Sequence, residues 1–297
     1  MPLDAALDAA FDAALDEALT FRCGGDQLVG ILSRPPAPAA RGVLVVVGGP
    51  QYRAGSHRQF TLLARRLAAD GIPALRFDYR GMGDSEGEQR DFEDVADDLR
   101  AAIDAFYGAV PDMREVVLWG LCDAASAIAM YAPTDARVAG VALLNPWVRT
   151  ADGIARATLK HYYRARLLDK DFWRKLLRGR FDVVGSLRSM AGLARAALRP
   201  AAPPEADAAA PVARAALPER MREGLHAFGG RVLLVVSGAD LTAREFCDVA
   251  ESSRHWKRLL GAARVTRRRI ERADHTFSRR EWRDQVAAWT SEWVRAW

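Results

Sequence analysis

The sequence predicts an α/β architecture: a mainly parallel central sheet flanked by helices, with a helical cap inserted late in the chain. Three observations predict it. Short apolar runs rich in β-branched residues recur, among them Gly42–Val47, Glu115–Trp119, Val138–Leu144 and Val232–Val236, and each reads as a buried parallel strand. Segments with apolar residues at helical spacing separate several of these runs, which gives βα units joined by right-handed crossovers. The rhythm stops between about residues 148 and 228 and then resumes. The length of 297 residues suits one large domain carrying such an insertion, and with half its residues apolar the chain can bury a sizeable core.

Taken in order, residues 3–18 repeat Leu-Asp-Ala-Ala with variations, so Leu3, Leu7, Phe11 and Leu15 recur at i, i+4. That spacing predicts an N-terminal helical extension over residues 1–18. Strands at Leu19–Cys23 and Gln27–Ser33 follow, joined by a Gly24-Gly25-Asp26 turn. Strand Gly42–Val47 ends in Gly48-Gly49-Pro50-Gln51-Tyr52-Arg53, and Phe60, Leu63 and Leu67 mark a helix over Arg58–Ala69. Strand Pro73–Phe77 runs into a glycine-rich turn, and a helix over Phe92–Phe106 leads to the strand at Glu115–Trp119. After strand Val138–Leu144 the chain becomes helical and basic, with arginines from Arg149 to Arg199 against few acids, then a Pro/Ala-rich hinge over Pro200–Pro211. Residues 149–227 read as a basic cap, whose arginines suit either an anionic ligand or a solvated face. Strand Val232–Val236, a helix over Ala243–Leu260, strand Val265–Ile270 and a helix over Arg280–Trp297 complete a core of residues 19–148 and 228–297.

The chemistry centres on Val116–Ala125. An apolar strand ends at Gly120, one reactive side chain follows at Cys122, and small residues open a helix. This is the layout of a nucleophile elbow, written G-x-S-x-G, here Gly120-Leu121-Cys122-Asp123-Ala124. Two further groups stand beyond later strands: Asp240 after Val232–Val236 and His275 after Val265–Ile270. A thiol is only slightly ionised at neutral pH and gains from an adjacent base, which in turn needs a fixed tautomer. Cys122 as nucleophile, His275 as base and Asp240 as its orienting acid supply that set. Asp240 also suits a helix N-cap, with Glu245 and Asp248 close by as substitutes. Gly48-Gly49-Pro50-Gln51 lies where a loop would complete an oxyanion hole. Proline has no N–H, so the backbone donors expected are Gln51 and Asp123, the residue after the nucleophile. Tyr52 and His57, on the same loop, are candidate substrate contacts; His161, His226 and His255 read as ordinary polar residues.

These motifs resemble the α/β-hydrolase family from about Leu19 onward. Asp78-x-Arg80-Gly81-x-Gly83-x-Ser85-x-Gly87 matches that family's D-x-R-G-x-G-x-S-x-G turn. More narrowly, Gly48-Gly49-Pro50-Gln51-Tyr52-Arg53-x-Gly55-Ser56-His57-Arg58-Gln59-Phe60, the elbow and Asp240-Leu241-Thr242-Ala243-Arg244-Glu245-Phe246 resemble the exosortase A system-associated hydrolase type 1 group. The resemblance implies an α/β-hydrolase fold and a cofactor-independent hydrolase or acyl transferase working on an ester or thioester. It also implies a bacterial protein associated with exopolysaccharide production and protein sorting. Two departures stand out: cysteine replaces the usual serine, as it does in dienelactone hydrolases, and Ala124 replaces the last elbow glycine. A hydrolase-like scaffold that binds a partner or acyl ligand without turnover is the alternative.

Charge and motif content narrow the rest. Net charge is +5 with a pI near 9.4, which identifies no partner by itself. There is no Walker spacing, no dinucleotide fingerprint and no metal-ligand cluster, so neither cofactor, metal nor nucleic acid is expected; the expected partner is a small-molecule or acyl substrate. Cys23, Cys122 and Cys247 form no C-x-x-C pair. No signal peptide or membrane span is legible, which predicts a cytoplasmic protein with scope for peripheral contact with the inner membrane or an exosortase-system partner.

Overall fold

The structure, a computed structural model, describes residues 15–37, 39–49, 51–148 and 215–297. Its centre is an eight-stranded sheet: β1 (Leu15–Cys23), β2 (Asp26–Arg34), β3 (Arg41–Val46), β4 (Ala74–Asp78), β5 (Glu115–Leu121), β6 (Val138–Leu144), β7 (Arg231–Ser237) and β8 (Val265–Ile270), in the spatial order β1-β2-β4-β3-β5-β6-β7-β8. β1 and β2 pair antiparallel, β2 joins β4 antiparallel, and every pair from β4 to β8 is parallel. Parallel strands need crossovers, and the described ones carry α1 (Gln59–Ala69), α2 (Ala96–Ala109), α3 (Asp123–Tyr131), α4 (Leu217–Ala227), α5 (Leu241–Ser252) and α6 (Arg254–Leu260); α7 (Arg280–Arg295) closes the chain.

β5 shows how both faces are covered. Adjacent residues on a strand point to opposite faces. Trp119 packs edge-on against Phe60 of α1, with ring centroids 5.6 Å apart, and its indole N–H donates to Thr290 Oγ1 of α7 at 3.3 Å. Gly120 faces the other way, where a Cβ would lie 2.6 Å from Ile128 Cδ1 of α3. α1 and α7 therefore share one face and α3 covers the other. Burial on both faces explains why β3, β5 and β6 read as continuous apolar runs.

Two boundaries differ from the sequence expectation. Leu15–Ala18, expected at the end of a helical extension, form the first half of β1, in register from Leu15 opposite Arg34 to Ala18 opposite Ile31. Pairing with β2 outweighs the i, i+4 pattern, and Asp16 is tied down by side chains that the repeat could not reveal. Its carboxylate accepts from Ser33 Oγ at 2.6 Å, Arg65 Nη2 at 2.9 Å and the buried Arg76 Nη2 at 3.2 Å. The rest of the expected extension, residues 1–14, lies outside the described residues. The insertion expected over residues 149–227 also ends earlier, because Pro218–Trp297 group with the core and Arg149–Leu217 form a separate unit. α4 belongs with the core because Met221 and Leu225 are buried and Gly224 lies against the Ala129 carbonyl, where a Cβ would collide. Residues 149–214, which hold most of the expected basic cap and its Pro/Ala hinge, lie outside the described residues.

A smaller difference concerns Ala243–Leu260, expected as one helix. The chain breaks at Ser253, which is extended (φ −110°, ψ 127°) and accepts the Trp256 N–H on its hydroxyl, so α5 and α6 are separate helices.

The turn after β4 is a brace. Asp78 is buried and accepts from the Arg53 N–H at 2.6 Å and the Asp84 N–H at 3.2 Å, while Arg53 Nη1 pairs with the same carboxylate. Arg80 makes paired bonds to the buried Asp98, including Nη2 to Oδ2 at 2.8 Å. Ser85 donates to the Asp78 carbonyl at 2.6 Å and accepts from Val29 of β2 at 2.9 Å. The D-x-R-G-x-G-x-S-x-G motif thus anchors Arg53, and with it the loop beyond β3, to the end of the sheet.

Candidate active site

β5 delivers Cys122 to the carboxyl edge of the sheet, and α3 begins at the next residue. Cys122 has φ 64° and ψ −126°, a backbone conformation that a non-glycine residue holds only where its surroundings enforce it. They do so here. The Cys122 N–H donates to Leu144 O at 2.9 Å, and its carbonyl accepts from Ala125 N–H at 3.1 Å and Trp147 N–H at 3.2 Å. Gly120 must be glycine because α3 crosses so close: a Cβ there would lie 2.9 Å from the Ala124 carbonyl carbon. Ala124, where the usual elbow has glycine, buries its methyl in the core, so this departure leaves the turn intact.

His275 and Asp240 come from the neighbouring strand ends. Asp240 follows β7 and His275 follows β8, and His275 Nδ1 lies 2.9 Å from Asp240 Oδ2. The sequence left Asp240 between helix cap and partner of His275. One oxygen makes both contacts, since the same Oδ2 accepts from the Ala243 N–H at 2.8 Å and caps α5. Burial alone would raise the Asp240 pKa, but the bonds from His275 and the α5 backbone hold it below the ordinary carboxylate value. Burial likewise works to lower the His275 pKa; the Asp240 bond, then a side-chain hydrogen bond with Cys122, outweigh it and push it up to about 10. An imidazolium beside a sulfur stabilises negative charge on that sulfur. Cys122, His275 and Asp240 are therefore brought into one chain of contacts.

Asn145 is a residue that the sequence reading passed over. It is fully buried at the end of β6, with φ 42°, and spans three segments. Its Oδ1 accepts from the Ser237 N–H, and its Nδ2 donates to Ser237 Oγ and to the His275 carbonyl, all at 2.8 Å. Ser237 Oγ in turn donates to Asp274 O at 2.8 Å. The pair fixes the main chain of the His275 loop to the ends of β6 and β7. An asparagine directly after a buried apolar strand was the available signal.

The loop beyond β3 is placed in part. Pro50 lies outside the described residues. Gln51 Oε1 accepts from the Ser56 N–H at 3.1 Å and so rounds off the loop on itself. The loop N–H that meets the elbow is that of Gly49, which donates to Asp123 Oδ2 at 2.9 Å. Asp123 Oδ1 accepts from the Ala124 N–H at 2.9 Å, and burial pushes the Asp123 pKa up despite these bonds. Tyr52 is exposed, and His57 is exposed with φ 52°, followed by Arg58 at φ 60°. These side chains are presented to solvent. His226 and His255 are exposed on α4 and α6; His161 lies outside the described residues. Cys23 is buried in β1 and Cys247 half-buried in α5, and burial pushes both thiols up. Among the described residues no group of His, Cys, Asp and Glu could hold a metal ion, and no helix is long and apolar enough to cross a membrane.

A sheet that turns at its carboxyl edge into an elbow, with an acid and a histidine beyond the last two strands, is the α/β-hydrolase fold. The chain belongs to the alpha/beta hydrolase family, whose sequence model matches residues 43–289. Its backbone is similar to the Pyrococcus furiosus esterase Pf2001, with a TM-score of 0.64 and 14% identity over 96% of this chain and 94% of that one. It is also similar to a dienelactone hydrolase from Anabaena variabilis, with a TM-score of 0.56 and 17% identity over 94% of this chain and 96% of that one. A stretch of 116 residues is 34% identical to the quorum-quenching protein AidA of Acinetobacter baumannii; the match takes in 37% of this chain and 37% of that relative.

Proposed function

We propose that the protein is a cysteine-dependent hydrolase or acyl transferase acting on an ester or thioester, with Cys122, His275 and Asp240 as its triad. The observation that carries this reading is the 2.9 Å bond from His275 Nδ1 to Asp240 Oδ2, with Cys122, held at φ 64°, acting with Asp240 to raise the pKa of the ring. The Cys122 sulfur attacks the acyl carbonyl, and the electron pair of the C=O bond moves onto oxygen. Backbone N–H groups of the elbow and of the loop beyond β3 stabilise that oxyanion. On collapse, the His275 imidazolium gives its proton to the departing alkoxide or thiolate and an acyl-thioester on Cys122 remains. Neutral His275 then takes a proton from water, or from an acceptor alcohol, as it attacks the thioester; expulsion of the Cys122 sulfur regenerates the starting state. Asp240 holds the tautomer and the charge of the ring throughout.

The substrate reading stops at the bond type. The name of the dienelactone hydrolase adds a cyclic ester to the acyclic esters and acyl-thioesters worth testing. The Gly48–Phe60 and Asp240–Phe246 motifs support a place beside a bacterial exosortase system linked to exopolysaccharide, in the cytoplasm or against the inner membrane surface. Steady-state hydrolysis of p-nitrophenyl esters, a lactone and an acyl-thioester by wild type and Cys122→Ala tests the activity. Turnover that vanishes with Cys122 supports the reading; turnover indifferent to Cys122, or none on any substrate, favours a scaffold that binds without reacting.

A further inference from the structure

A negatively charged side chain occupies the groups that should receive the substrate's oxygen. An oxyanion hole of this fold is built from the N–H of the residue after the nucleophile and an N–H from the loop beyond the first parallel strand. Here the residue after the nucleophile is an aspartate, and the loop N–H that faces it belongs to Gly49. The Asp123 carboxylate takes the Gly49 donor and the next amide of the elbow: Oδ2 accepts from Gly49 N–H at 2.9 Å and Oδ1 accepts from Ala124 N–H at 2.9 Å. The fit is close. A Cβ on Gly48 would collide with Asp123 Oδ1, and only glycine leaves the carboxylate that space.

We propose that the Asp123 carboxylate is a resident stand-in for the substrate oxyanion, holding the Gly49 N–H until an acyl carbonyl displaces it. The inference rests on Cys122 being the nucleophile. Two properties follow. A carboxylate gives the Gly49 N–H an acceptor before substrate arrives. It must also rotate away before the same donor can polarise a carbonyl, because two anions cannot share it. Asp123 is thus a positioning residue that acts through Gly49, and it makes acylation of the resting protein slower than the bare donors would allow.

The test separates acylation, which develops an oxyanion, from alkylation, which does not. Cys122 in wild type, Asp123→Ala and Asp123→Asn is labelled with p-nitrophenyl acetate and, separately, with iodoacetamide, and site-resolved mass spectrometry gives both rates. The ratio of acylation to alkylation cancels any change in the reactivity of the sulfur itself. We expect that ratio to rise about ten-fold in Asp123→Ala, below the ceiling of 10²–10³ that one oxyanion donor is worth, and by less in Asp123→Asn, whose amide oxygen still accepts one N–H. A ratio that falls, or stays level, in both variants overturns the proposal and makes the carboxylate a brace for the loop. Asp123→Asn keeps the shape of the side chain and carries the test should Asp123→Ala fail to fold. A wild-type Cys122 that reacts with neither reagent overturns the nucleophile reading itself.

Discussion

The two halves of the candidate site are held in place by different physics. Cys122 is positioned by sterics and backbone strain: a positive φ, a strand ending in Gly120, and α3 pressed so close that a single methyl would collide. His275 is positioned by hydrogen bonds: Asp240 at its ring, Asn145 at its carbonyl, and Ser237 linking Asn145 to Asp274. Cys122 is fixed by what cannot fit near it, His275 by what must bond to it. The first device is local in sequence and the second assembles residues from three strand ends. Damage to the first should act through packing, and damage to the second through orientation and charge.

The largest effect belongs to the nucleophile. Cys122→Ala should lower ester turnover by a factor on the order of 10⁴ or more, as loss of a triad nucleophile does elsewhere, with little change in urea midpoint. A variant that kept even a tenth of the activity would remove the elbow from the account. Next comes Asp240→Asn, which removes the negative charge beside His275; because one oxygen serves both the ring and the α5 cap, an amide NH2 in its place would lose both bonds. Turnover should fall by roughly 10³–10⁴ as the ring loses its carboxylate, while the helix content by circular dichroism stays level.

Asn145→Ala sharpens the contrast, because Asn145 touches the main chain of His275 and not its ring. Leaving the buried Ser237 N–H without its acceptor should cost about 1–3 kcal/mol in urea unfolding, and turnover should drop by about ten-fold, the order expected when a catalytic group loses its alignment. Gly120→Ala probes the steric half. With Ile128 Cδ1 only 2.6 Å from the new methyl, overpacking should cost about 1–3 kcal/mol, and the turnover of the protein that remains folded should fall less than in Asn145→Ala.

The smallest effect is on stability against pH. The His275 pKa is raised from 6.5 to about 10 in the folded chain, so folding favours its charged form. That contribution is complete below the unfolded value of about 6.5 and is lost as pH climbs through about 10. Urea midpoints measured from pH 6 to pH 10 should therefore decline more steeply in wild type than in His275→Ala. Parallel profiles would show that the Asp240 and Cys122 contacts do not hold the charge on the ring.

The same contrast explains what could be read from the sequence. The elbow was legible because its determinants are consecutive: an apolar strand, Gly120, Cys122 and small residues opening α3. His275 was legible as a histidine beyond the last strand. Asn145 was not, because its role depends on β6 and β7 pairing side by side, and nothing in Asn145-Pro146-Trp147 announces its partners Ser237 and His275. Leu15–Ala18 misled for the opposite reason. Their helical spacing is real, but pairing with β2 and the bonds from Ser33, Arg65 and Arg76 to Asp16 are non-local and stronger. Asp240 looked like a choice between cap and catalytic acid because a sequence does not show that one oxygen can do both. At the loop beyond β3, the missing N–H of Pro50 directed attention to Gln51; that the Gly49 N–H donates to Asp123 depends on the elbow lying beside the loop, which no local pattern announces.

The most direct test of the Cys122–His275 pair is intact-protein mass spectrometry after a brief exposure to p-nitrophenyl acetate, run on wild type, Cys122→Ala and His275→Ala together. A single acetyl group confined to Cys122, absent from Cys122→Ala and formed far more slowly without His275, is the predicted result. Labelling of Cys122 no faster than of Cys23 and Cys247, and unchanged by removal of His275, would contradict it.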